Sequence, residues 1–184
     1  MKPRLPDPRQ LDVAAAAADA LTLDGHWPLA GFKRLVEGVA QDGDVDWSVR
    51  GQQRPVAGRE PEVWLHLTAR ARVWRDCQRC LQALALELDV SRALRFVADE
   101  ATAEALDADS DDDVLALPRS LDLHALVEDE LLLALPLVPM HAQCPQQPPM
   151  SAGNLGREGE AEPTKNRFAA LAELKRALAP GRKG

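Results

Sequence analysis

Two short spacings in this chain have the residue types to hold a metal ion. Cys77-Gln78-Arg79-Cys80 is a C-x-x-C, and His141-Ala142-Gln143-Cys144 is an H-x-x-C. Two thiolates three positions apart in a tight turn reach one zinc ion at about 2.3 Å each, and a structural site closes with two more sulfur or nitrogen ligands. If the second segment returned to the first, Cys77, Cys80, His141 and Cys144 would form a Cys3His set for a structural zinc. The roughly 60 residues between the pairs exceed the interval of common zinc ribbons. Two other readings stay open. A redox dithiol would cycle through a disulfide with a depressed thiol pKa, although such a motif ordinarily sits at a helix N-terminus. A plain turn with reduced thiols needs no partner. An odd count of three cysteines without secretory context argues against a disulfide framework.

A second set of residues points to polyanions. Trp64, His66, Thr68, Arg70, Arg72 and Trp74 occupy alternate positions, and a strand face mixing indole with guanidinium groups can stack bases and contact phosphate. Under a covering helix the same face would bury its tryptophans while the arginines snorkel outward. Basic residues gather again at Lys165, Arg167, Lys175, Arg176, Arg182 and Lys183. The expected RNA or partner contacts are therefore Trp64, Arg70, Arg72, Trp74, Lys165, Arg167, Lys175 and Arg176. A formal charge of −7 looks unfavourable for such a role, because affinity for phosphate rests on Lys and Arg displacing counterions. Eight carboxylates lie in one stretch with no base among them: Asp99, Glu100, Glu104, Asp107, Asp109, Asp111, Asp112 and Asp113. Without them the total is +1. The chain is polarised rather than uniformly acidic.

Catalytic patterns are missing from the sequence: there is no G-x-S-x-G, P-loop or Gly-rich dinucleotide fingerprint. Glu128, Asp129 and Glu130 are contiguous, so on a helix they point about 100° apart and form no acid/base pair; a solvated face is expected. His26, His66 and His124 are expected to be structural. The apolar run Leu131 to Val138 contains Pro136 and is too short to span a bilayer. Asp12, Asp19 and Asp24 interrupt any signal core. The expectation is a cytoplasmic, non-enzymatic protein with neither membrane nor small-molecule substrate as partner.

The elements that must position these residues read as α+β. In 184 residues with 46% hydrophobic and 4% aromatic content there is material for one core. Pro28 to Val39 places Phe32, Leu35, Val36 and Val39 at helical spacing, which predicts a short helix near 30–39. Asp44 to Arg50 alternates as a half-buried strand that Gly51 ends. Glu62 to Asp76 alternates Leu65, Leu67, Ala69, Ala71 and Val73 against the polar set, and a second alternation follows over 81–97. These predict an antiparallel sheet with a long hairpin tipped by the C-x-x-C, covered by two or three short helices. The acidic stretch 99–113 reads as a solvated loop interrupted by whatever helical turn its alanines permit, and Val114 to Leu117 as a short strand. Asp122 is placed to cap a helix over 122–135, stopped by Pro136 and Pro139. The expected organisation is an α+β domain over 1–144, a Pro/Gly-rich linker over 145–165, and a basic amphipathic helix and tail over 166–184, with Phe168, Leu171, Leu174 and Leu178 on one side.

Three segments, in this order, resemble the YceD family of large ribosomal RNA subunit accumulation proteins. They are Cys77-Gln-Arg-Cys80-Leu81 after a long strand, Asp122-Leu-His-Ala-Leu-Val-Glu-Asp-Glu-Leu-Leu-Leu-Ala-Leu-Pro-Leu-Val-Pro-Met-His141, and Asn166-Arg-Phe-Ala-Ala-Leu-Ala-Glu-Leu-Lys175. The resemblance implies a role in synthesis, processing or stability of 23S rRNA, with 23S rRNA, a pre-50S particle or a large-subunit ribosomal protein as partner. Many relatives carry a second C-x-x-C after the Leu-Pro-x-x-Pro helix end, implying a zinc-like four-cysteine set. Here Cys144 alone stands for that pair, with His141 nearby. Asn166-Arg167-Phe168 replaces the usual Asn-Pro-Phe. The alternative expectation is a protein adaptor that docks through its C-terminal helix and never touches RNA.

Overall fold

The computed structural model describes residues 6–36, 42–108, 110 and 112–145. From residue 146 onward, the expected linker over 145–165 and the expected helix and tail over 166–184, with Lys165, Arg167, Lys175 and Arg176, lie outside the described residues.

The chain opens with α1 (Val13–Ala18), whose N-cap Asp12 accepts a hydrogen bond from the Ala15 N–H. Four consecutive strands follow: β1 (Thr22–Pro28), β2 (Asp44–Arg54), β3 (Glu62–Asp76) and β4 (Ala83–Val97). Each pairs antiparallel with the next. Helix α2 (Glu100–Asp107) then brings β5 (Asp113–Ala116) alongside β4 in the parallel direction. The sheet is therefore mixed, in the order β1-β2-β3-β4-β5, where the sequence predicts an antiparallel one. The physical reason is the helix between β4 and β5, since a crossover lets a strand return in the same direction. Helix α3 (Leu123–Leu133) closes the described chain, capped by Asp122 at the His124 and Ala125 N–H groups.

The period of two sorts the residues of β3 from Leu65 to Val73. Leu65, Leu67, Ala69, Ala71 and Val73 are buried, and so are their neighbours Val45, Trp47 and Val49 on β2 and Leu88, Val90, Leu94 and Phe96 on β4. Leu123, Val127 and Leu131 of α3 and Val13 and Ala16 of α1 join the same core.

Three further expectations are corrected. β2 runs through Gly51 to Arg54. Gly51 is there because α1 lies directly on it: a Cβ would sit 2.3 Å from the Ala16 carbonyl oxygen, a close approach that requires glycine. Of the helix expected near 30–39, the described residues to 36 hold a single 3-10 turn, Leu29–Gly31, followed by turns to Val36, while 37–39 lie outside the described residues. Leu29, Phe32 and Leu35 are buried at a spacing of three, and the N–H groups of Arg34 and Leu35 are given to the Glu128 carboxylate rather than to carbonyls four residues back. The acidic stretch holds α2 rather than a loop alone. Asp99 caps it at the Thr102 N–H and hydroxyl, and Ala103 anchors it by burial.

Candidate metal centre and the polar sheet face

The link between β3 and β4 is the six-residue turn 77–82, with Asp76 opposite Ala83. It closes on itself: the Cys77 N–H donates to the Gln82 carbonyl at 2.9 Å and the Leu81 N–H to the Cys77 carbonyl at 2.8 Å. Leu81 takes φ +58°, in the left-handed region that glycine ordinarily fills, and its side chain is exposed. A branched side chain in that conformation is a local cost, and it gives the turn the shape in which N–H groups aim at a sulfur.

The partner segment arrives from α3. Pro136 and Pro139 end the helix, and the Pro139 carbonyl accepts from the Gln78 N–H at 2.8 Å, stitching the segment to the turn. The His141 N–H then points at Cys77 Sγ, 3.4 Å away. Cys77 and Cys144 sulfurs lie 3.8 Å apart, Cys80 Sγ lies 3.5 Å from His141 Nδ1, and all four donor atoms fall within 4.8 Å of one another. Zinc with ligands at about 2.3 Å for sulfur and 2.0 Å for nitrogen requires donor separations of about 3.5–3.8 Å at tetrahedral angles. The structure thus brings together Cys77, Cys80, His141 and Cys144, 61 to 67 residues apart; the Cys77–Cys144 and Cys80–His141 separations match those values, the remaining ones lie within 4.8 Å, and the four donors could hold a metal ion. All three cysteines are free, and the C-x-x-C joins antiparallel strands rather than opening a helix.

Burial opposes ionisation of Cys77, but the N–H groups of His141, Cys80 and Arg79 and the His141 ring outweigh it and bring the thiol down to about 5. Burial pushes the Cys80 thiol up. The thiolate, not the thiol, is the form of cysteine that binds a metal, so a lowered value at Cys77 is compatible with a ligand role. Arg79, between the two cysteines, donates through Nε to Cys144 Sγ at 2.9 Å and through Nη2 to the His141 carbonyl at 2.9 Å. The sequence motif names it only as an intervening residue with no role of its own. Its position inside the C-x-x-C was the available signal.

The polar sheet face divides the other expected contacts. Arg70, Arg72 and Trp74 are exposed. Trp64 is 2% exposed, with the Arg54 guanidinium 3.8 Å from its ring centroid and its indole N–H donating to Glu62, so it presents no face for base stacking. Arg70 pairs with Asp89 at 2.9 Å and Arg72 with Glu87 at 3.1 Å, each directly across the β3–β4 ladder. Arg95 pairs with Glu62 at 2.8 Å. On this face of β2 to β4, Arg50, Arg54, Arg70, Arg72 and Arg95 stand among Asp44, Asp46, Glu62, Asp76, Glu87 and Asp89. The face is ion-paired and carries no positive excess. His66 bonds Gln52 and is held below its ordinary value by burial and by Arg54 and Arg50, which keeps it neutral.

The expected solvated face at 128–130 is also corrected. Glu128 and Glu130 are buried. Glu128 accepts from the backbone and side chain of Arg34, and Glu130 pairs with Arg92 at 2.8 Å. These two carboxylates fasten α3 to the 29–36 segment and to β4.

Residues 65–175 match the family described as Large ribosomal RNA subunit accumulation protein YceD. The chain belongs to the YceD family. The matched region takes in β3, the metal-ligand cluster, α2, β5 and α3, so the geometry above is that of a YceD protein over most of its length. No solved structure matches the chain. The family's description concerns accumulation of large-subunit ribosomal RNA. Among the described residues, no helix of this YceD protein is long and apolar enough to cross a membrane.

Proposed function

We propose that this YceD protein acts without chemistry of its own, as a cytoplasmic factor in the synthesis, processing or stability of 23S rRNA, so that the large ribosomal subunit accumulates. The observation that carries this reading is the family match over residues 65–175. The partner is 23S rRNA or a pre-50S particle, with a large-subunit ribosomal protein as a second contact. Arg70, Arg72 and Trp74 supply accessible groups on the sheet, and Lys165, Arg167, Lys175 and Arg176 supply the denser basic charge. A structural zinc on Cys77, Cys80, His141 and Cys144 would cross-link the turn 77–82 to the segment after α3. The spacing of the four donors supports that assignment.

A second reading, a protein adaptor docking through residues 166–184 without RNA contact, gains from two observations. The polar sheet face is neutralised by its own ion pairs, and Leu133, Leu137, Val138 and Met140 are exposed apolar groups after and at the end of α3. Salt separates the two: phosphate contacts weaken log-linearly with salt, whereas apolar docking does not.

The test is a sucrose-gradient and 23S-to-16S rRNA profile in depleted cells, complemented with wild type or with a Lys165/Arg167/Lys175/Arg176 charge-neutralised chain. A selective 23S deficit restored by wild type alone is expected. An unchanged 23S-to-16S ratio on depletion refutes the reading.

A further inference from the structure

Arg79 is an exposed arginine with an unusually directed pair of bonds. Its guanidinium spans the gap between the two chain segments that supply the metal ligands, taking Cys144 Sγ with Nε and the His141 carbonyl with Nη2, both at 2.9 Å. Both acceptors belong to the H-x-x-C segment, whereas Arg79 belongs to the C-x-x-C. The C-x-x-C is held by its own turn bonds; among the described residues, the groups that reach the Cys144 sulfur, Arg79 and Cys77, both come from that turn. The Gln78 N–H bond to the Pro139 carbonyl fixes only the start of that segment.

Charge gives the second strand of the inference, which rests on the zinc reading above. Three thiolates and a neutral imidazole around a divalent cation leave a net charge of −1. A guanidinium bonded to one of the sulfurs cancels it. Its planar fork also holds two acceptors at once, which a lysine ammonium cannot reproduce in the same geometry. Outer-shell groups that orient and neutralise ligands in this way set metal affinity by one to two orders of magnitude.

We infer that Arg79 is a positioning residue of the metal centre: it clamps Cys144 and the His141 backbone into the ligating arrangement and neutralises the surplus charge of the three-thiolate set. The prediction separates Arg79 from the exposed arginines of the sheet face, whose partners are carboxylates.

The full chain, purified as wild type, Arg79→Ala, Arg79→Lys and the control Arg70→Ala, is titrated with Zn(II) against a chromophoric chelator. Arg79→Ala is expected to bind about 10- to 100-fold more weakly, Arg79→Lys to fall between it and wild type, and Arg70→Ala to match wild type. Cobalt loading gives a readout that a folding defect does not mimic: sulfur-to-metal charge-transfer bands keep three-thiolate intensity in every variant that binds. Iodoacetamide on the zinc-loaded chains, followed by peptide mass mapping, is expected to label Cys144 faster in Arg79→Ala, with Cys77 and Cys80 unchanged. Wild-type affinity and wild-type protection of Cys144 in Arg79→Ala overturn the inference while leaving the metal site standing. A wild-type chain that takes up neither zinc nor cobalt removes the metal reading and this assignment with it.

Discussion

The two ends of the β3–β4 ladder solve the same problem by different physics. At the end carrying Leu65, Leu67, Leu94 and Phe96, these inward apolar side chains are buried in one core with residues of α1 and α3. At the other end, Leu84, Ala85 and Leu86 are only half-buried, Leu81 is exposed, and the strands run out beyond their apolar cover. There the chain is held by polar contacts instead: the Gln78 to Pro139 hydrogen bond, the Arg79 fork, and a bond from Arg75 to the Leu35 carbonyl, with four donor atoms grouped so that they could hold a metal ion. A small domain has too little interior to cover a hairpin of two fifteen-residue strands along its whole length, and a local staple is the usual remedy where the core thins. The covered end should therefore be indifferent to metal and the turn dependent on it.

The largest expected effect breaks that comparison directly. A bound ion held at about a thousand times its Kd adds about 4 kcal/mol to the folded state, so a strong chelator, or Cys77→Ser, should lower stability by about that amount. Hydrogen exchange should show the loss at 77–85 and 139–145 while 45–49 and 65–69 stay protected; equal unfolding midpoints with and without chelator would sink the staple. Next in size is the reciprocal change. Leu67→Ala deletes fully buried methyls and should cost about 3 kcal/mol, yet leave zinc stoichiometry, measured by elemental analysis, as in wild type.

The contrast also explains what the sequence made legible. Alternation over 62–76 follows from one buried face, and it reads at a glance because Leu65 through Val73 have no competing role. The α3 boundaries follow from Asp122 and Pro136, both local signals. What was lost is what depends on distant partners. Helical spacing at 32, 35, 36 and 39 predicted a helix, but Glu128, over ninety residues away, captures the Arg34 and Leu35 N–H groups. Gly51 looked like a strand end because nothing local reveals the backbone of α1 against it. β1 went unread because Gly25 and Pro28 dilute its pattern, although a Cβ at Gly25 would come within 3.1 Å of the Trp47 indole, again a contact with another element. For the candidate centre, the ligand types and spacings were visible in two motifs. Arg79, Gln78 and the left-handed Leu81 were not, since their roles exist only once the two segments meet.

Glu128, which fastens α3 to the 29–36 segment, is expected to give a smaller effect. Burial pushes its carboxyl up, but the Arg34 guanidinium and the Arg34 and Leu35 N–H groups outweigh this and hold it below the usual carboxylate range. A depressed folded value means that the stabilisation is fully present above the ordinary value of 4.5 and is lost as pH falls through the folded one. Glu128→Gln, which keeps shape but loses charge-assisted bonds, should cost about 2 kcal/mol near neutrality. The gap to wild type should close in acid, read from urea midpoints across pH. A gap that stays constant at every pH would show that the carboxylate charge contributes nothing there.

The smallest effect on stability bears most on function. Arg70 and Arg72 make exposed ion pairs whose side chains are 60–75% accessible, and such pairs contribute roughly 0–1 kcal/mol. Arg70→Ala and Arg72→Ala should therefore leave unfolding midpoints nearly unchanged, with a coupling of about 0.5 kcal/mol in an Arg70/Asp89 double-mutant cycle. The weakness of these pairs makes exchange feasible: a phosphate can take Arg70 from Asp89 at little cost, although the carboxylate left behind repels it. If the sheet face contacts RNA, Asp89→Ala should tighten binding to 23S rRNA fragments, while Arg70→Ala weakens it and lowers the magnitude of the salt slope by about 1. Unchanged affinity and slope in both variants would make this face an ion-paired surface only, and would leave phosphate contact to the basic residues beyond 164.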